Sequence, residues 1–173
     1  MKIFFAVALA LFMLFNKSPE PEVTLSYGNW SDDSSIYMGS LNREKMIFSS
    51  VLHLPIYRLD TLEDLESFKE NFGDILSMNQ SYDEVPSFED ATAPYNEDFF
   101  EDSSLMVVYV SANSGSYRFG VSEVYCKNGG YSIHVERLNN PEVVTEDMAG
   151  WFITVAETDN KLNNCTEFDA ILG

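Results

Sequence analysis

The sequence predicts an α+β fold: a mostly antiparallel C-terminal sheet with one main helix, about residues 61–73, packed on it. Three observations lead there. Leu62, Leu65, Phe68 and Phe72 recur at spacings of three and four, which puts them on one helical face. After residue 104 the apolar residues fall instead into short runs, several of them alternating, divided by turn residues, as strands do. The composition, 45% apolar and 14% aromatic, belongs to a chain that folds rather than one that stays disordered.

The elements follow in order. Met1-Lys2 precedes a 13-residue apolar run, Ile3 to Phe15, closed by Asn16, Lys17 and Ser18. A short basic start, an apolar stretch and a polar exit have the grammar of a secretory signal sequence. As a helix the run would be about 20 Å long, short against a hydrocarbon core of about 30 Å. Residues 1–15 are therefore expected to be a signal sequence or membrane anchor. Small residues are missing at its exit, which leaves cleavage and retention both open. Pro19 and Pro21 make 16–22 a linker. Residues 23–173 are expected to form a single α+β domain, about 150 residues and large enough for a core of its own.

Within that domain, Val23 to Trp30 and Ile36 to Leu41 are expected to be extended. Met46 to Tyr57 is apolar and broken by Pro55, and its period does not decide between strand and helix. The main helix has Asp60 as its expected cap with Glu63 three residues on, and Gly73 at its end. Residues 79–94, with Pro86 and Pro94, read as a long loop, and Asn96 to Glu101 as a brief helical turn. Leu105 to Val110 is apolar on both faces, as in a central buried strand. Tyr117, Phe119 and Val121 alternate, then Val124 and Cys126 continue in the opposite phase, so a bulge is expected near Ser122-Glu123. Asn128-Gly129 predicts a hairpin between 116–126 and 131–138, with the 105–110 strand beside it in the same sheet. A loop with Pro141 leads to a last strand at Trp151 to Val155.

The net charge is −18, from 28 acidic and 10 basic side chains. Nucleic-acid binding needs a basic footprint and is excluded. Docking of the folded domain on anionic lipid is excluded too, which leaves the N-terminal apolar segment as the sole membrane contact. From Glu70 to Tyr117 there is no Lys or Arg among ten carboxylates. The stretch reads as a solvated acidic loop, or else as a surface for a cation or a basic protein. Two cysteines, Cys126 and Cys165, form either a disulfide or a pair of buried thiols. A bridge closing about 40 residues would contribute roughly 4 kcal/mol. Three sequons, at Asn29, Asn79 and Asn164, are short matches of the kind that arise by chance. The histidines, His53 and His134, do not stand at zinc-finger spacing from either cysteine, and His134 is expected at the surface. No nucleophile elbow or phosphate loop appears. No catalytic residue, metal ligand or cofactor site is assigned.

Residues 104–157 carry a likeness. SLMVVYVSANSGSYRFGVSEVYCKNGGYSIHVERL, then a proline-containing loop and WFITVAE, resembles the C-terminal domain of the protease-complex subunit PrcB, and similar domains end small exported lipoproteins of Gram-positive bacteria. Gly115-Ser116-Tyr117 stands where that pattern has Gly-Gly-Tyr, and Gly150-Trp151 stands near its Pro-Tyr. No cysteine follows the apolar run to accept a lipid. The resemblance implies a non-catalytic, extracytoplasmic accessory module, whose partner is another extracytoplasmic protein of a bacterial envelope or secreted complex. The alternative is an extracellular hydrolase that uses carboxylates of the acidic middle; it would require two carboxyls about 5 to 10 Å apart in a pocket.

Overall fold

The structure, a computed structural model, describes residues 21–29, 52–158 and 161–173. The apolar run at 1–15 and the expected strand at Ile36–Leu41 lie outside them, as do residues 46–51 and most of the first sequon. The elements are β1 (Glu22–Tyr27), β2 (Leu52–His53), β3 (Ile56–Leu59), α1 (Leu62–Gly73), α2 (Phe88–Thr92), α3 (Glu97–Phe100), β4 (Ser104–Ala112), β5 (Phe119–Lys127), β6 (Gly130–Arg137), β7 (Ala149–Glu157), a 3-10 turn (Lys161–Asn164) and β8 (Glu167–Leu172). The expected linker ends one residue early, because Glu22 already pairs with Ala156.

The strands form two four-stranded sheets, β1-β7-β4-β3 and β2-β8-β6-β5. The first is antiparallel throughout. In the second, β6 and β8 run parallel and the other pairs antiparallel. The fold is thus α+β and dominated by mostly antiparallel sheet. Helices cover one face of the first sheet. Leu105, Val107, Tyr109 and Phe152 meet Leu65, Phe68, Leu76 and Phe88 there. From its other face Met106, Val108, Val110, Trp151, Ile153 and Val155 pack against Tyr131, Ile133, Val135 and Ala170 of the second sheet.

This arrangement corrects the expected position of the 105–110 strand. β4 does not lie beside the hairpin; it pairs with β3 and β7 in the other sheet. The run is apolar on both faces because a helix layer covers one and the second sheet covers the other. Burial on two faces looks the same in sequence whether the neighbouring hairpin bonds to the strand or stacks on it.

The hairpin forms as expected. Asn128 and Gly129 both take positive φ, 54° and 83°, the geometry of a two-residue turn that matches strand twist. The β5–β6 register shifts between Val121 and Glu123, leaving Ser122 as the extra residue.

α1 begins one residue later than the expected cap. Thr61, not Asp60, is extended and accepts a 3.0 Å hydrogen bond at Oγ1 from the Asp64 amide, while Asp64 Oδ2 accepts one of 3.0 Å from the Asp60 amide. Thr61 is the residue whose hydroxyl reaches the third helical N–H. Gly73 is the last helical residue, and its φ is not positive. The expected loop at 79–94 contains α2, capped by Ser87 Oγ accepting from the Asp90 amide at 3.0 Å. Five residues are too few for a helical period to register. α3, capped by Asn96, falls where a brief turn was expected.

Candidate functional site

Cys126 and Cys165 are joined in a disulfide, their Cα atoms 7.1 Å apart. The route differs from the expected one. The last expected strand, β7, is in the other sheet. The 3-10 turn and β8 carry the chain back instead, with the Gly129 carbonyl accepting from the Thr166 amide at 2.8 Å. The C-terminal residues are not a tail held by Phe168, Ile171 and Leu172 alone; they are a strand bonded to β6 on one side and β2 on the other.

The histidines stand apart from this sulfur pair. His53 Nδ1 is 2.8 Å from Asp169 Oδ1. His134, half-buried rather than exposed, lies edge-on to Tyr125 with ring centroids 5.2 Å apart. Among the described residues, no three His, Cys, Asp or Glu side chains converge as metal ligands would. No described helix is long and apolar enough to cross a membrane.

The acidic middle has a local explanation. Glu63 and Asp64 occupy the first turn of α1, Glu89 and Asp90 that of α2, and Glu97 and Asp98 that of α3. Carboxylates are favourable there, beside the unpaired amides and the positive end of the helix dipole. The acidity is spread over three helix starts.

Another group of residues forms a built surface at the end of the sandwich away from the disulfide. Two connections meet there, 113–118 between β4 and β5 and 138–148 between β6 and β7. Side-chain hydrogen bonds tie them together. Asn139 accepts from the Arg118 amide and donates to the Ser116 carbonyl, each at 2.8 Å. The Ser116 hydroxyl accepts from the Thr145 amide at 3.1 Å. Asp147 accepts from the Gly115 amide at 3.2 Å and from the Tyr82 hydroxyl at 3.1 Å. A hydrogen bond from Thr145, and then that Gly115 amide, hold the Asp147 carboxyl below its usual range against a smaller burial effect. Arg118 lies 4.9 Å over the Trp151 ring, donates to the Gly115 carbonyl at 2.6 Å and pairs with Asp83 at 3.1 Å.

On this fixed base the 138–148 connection holds four large apolar side chains out to solvent. Val143 is 83% exposed, Leu138 61%, Met148 52% and Val144 44%. They account for four of the six large apolar residues found exposed. A groove of about 680 Å³ adjoins them at Met148, running past Tyr117 and Phe119 to Leu172 and Gly173. Glu136 is the one carboxylate side chain in its lining, and Arg137 lies 4.8 Å over the Tyr117 ring. A two-carboxylate hydrolase would need a second acid about 5 to 10 Å away, and the groove wall offers Asn113 and Ser111 instead.

Sequence reasoning passed over this surface, reading 138–148 only as a loop with Pro141. The signal was there: a Val143-Val144 pair in a stretch otherwise polar except at its ends, Leu138 and Met148. Apolar side chains that no periodic pattern buries are the ones left for a partner. Comparison with protein-family models, with curated proteins and with solved structures finds no match.

Proposed function

We propose that this protein is a non-catalytic, extracytoplasmic accessory domain that binds another protein of a bacterial cell envelope or secreted complex. The observation that carries the reading is the 138–148 connection. Its backbone is locked by side-chain hydrogen bonds, yet it exposes Leu138, Val143, Val144 and Met148 beside an open groove. A surface held in one shape loses little entropy when a partner covers it. The disulfide is compatible with an extracytoplasmic location, where oxidising conditions preserve such bonds. The export-like residues 1–15 and the resemblance of 104–157 to PrcB C-terminal domains point the same way.

Capture from the envelope fraction of the source organism tests binding. Wild type should retain a partner that Val143→Asp/Met148→Asp loses, with the thermal midpoint of the variant unchanged. Equal capture by both proteins would refute the assignment of this face. Location is tested by fusing residues 1–15 to a reporter active only after export. A silent reporter with normal expression would refute it.

A further inference from the structure

The exposed apolar side chains do not stand among neutral residues. Glu142 and Glu146 flank Val143 and Val144 in the chain, Glu136 lies on the adjoining groove wall, and 138–148 contains no Lys or Arg. Among the described residues none of these three carboxylates is ion-paired. The nearby cations are engaged elsewhere. Arg118 is held by Asp83 and two backbone carbonyls, and Arg137 lies over Tyr117 with Asn140 beside it. The face therefore presents an apolar centre with a negative rim.

We propose that this face docks a cationic segment of the partner protein, one in which Lys or Arg alternates with apolar residues. The inference rests on the reading above that 138–148 is the docking face, and it adds the chemical class of what docks. Apolar side chains would cover Val143 and Val144 while basic groups meet Glu142 and Glu146. Opposite charge at a rim sets orientation and encounter rate more than affinity, and the net charge of −18 adds to the attraction at longer range. The other occupants meet repulsion. A second copy docking by the same face would set Glu142 and Glu146 against their own equivalents, because a two-fold interface pairs a patch with itself. An acidic protein or an anionic lipid surface meets the same like charges.

The test uses the chain with three synthetic 16-residue peptides as probes, built from Leu and Lys, Leu and Glu, or Ser and Lys, read by fluorescence anisotropy at low salt. The Leu/Lys peptide should bind at least about tenfold more tightly than either of the others. Glu142→Gln/Glu146→Gln should weaken it about fivefold, an effect that shrinks at high salt. Val143→Ser/Val144→Ser should weaken it about tenfold or more. The control Glu70→Gln/Glu101→Gln, which removes the same charge from the helix layer, should leave it unchanged. Equal loss in the rim and control variants would overturn the proposal, since the whole protein's field would then be the cause. Loss in the valine variant without loss in the rim variant would keep the docking face and overturn the cationic class. No change in either, or no binding of the Leu/Lys peptide below about 1 mM, would overturn both.

Discussion

Replacing Cys126 by alanine tests the covalent tie between the β5–β6 turn and β8. Cys126 is exposed and Cys165 is 4% exposed, so Cys126→Ala breaks the bridge with little loss of packing. The two residues are 39 apart in sequence. For a closure of that length the chain-entropy relation gives about 4 kcal/mol. In a domain of this size that is a fall of about 8 to 16 °C in thermal midpoint. Cys165→Ala should cost about 1 kcal/mol more, because it also removes a buried sulfur. Urea titrations of wild type and both variants, with and without a phosphine reductant, measure these quantities. Reduced wild type should fall to the midpoint of Cys126→Ala, and reductant should leave the variants unmoved. The reasoning is refuted if wild type and Cys126→Ala unfold at the same urea concentration without reductant. Peptide binding at 138–148 should survive in both variants, since that connection leaves the opposite end of β6.

Three further outcomes follow from particular contacts. A Cβ at Gly150 would overlap the Tyr109 hydroxyl and the Gly28 carbonyl oxygen, so Gly150→Ala should destabilise by about 1 to 3 kcal/mol in urea unfolding. Thr61→Ala removes the cap of α1 and should cost about 1 kcal/mol by the same assay. Burial, the Glu157 carboxylate and the 2.9 Å hydrogen bond donated to it raise the Tyr131 phenol well above its ordinary value of 10.0. The unfolded chain then releases this proton first, so the contribution is complete below about pH 10 and is lost as pH rises above it. Urea midpoints measured between pH 9 and pH 11 should fall, and less steeply in Tyr131→Phe.

Much of the chain is legible without its structure, and the legible parts share a cause. The face of α1, the Asn128-Gly129 turn and the bulge at Ser122 are set by neighbours a few residues apart. Helical spacing, positive φ and a change of phase along one strand all act over that range, so the sequence determines them by itself. The same holds for the acidic starts of α2 and α3, although five- and four-residue helices are too short for periodicity to reveal.

Tertiary structure decided what lies across the core. Leu105 to Val110 declare burial on both faces, but burial has no direction: hydrophobic contact rewards a helix, a bonded strand or a stacked sheet alike. Only the folded chain shows that β4 pairs with β3 and β7 and stacks on the hairpin's sheet. β8 was hidden for the same reason, since its six residues form a strand by pairing with β6 and β2. That pairing brings Cys165 to Cys126. The candidate binding face depends on contacts more distant still. Val143 and Val144 stay in solvent because Asn139, Thr145 and Asp147 bind the 113–118 connection, and hydrogen bonds between loops leave no period in a sequence.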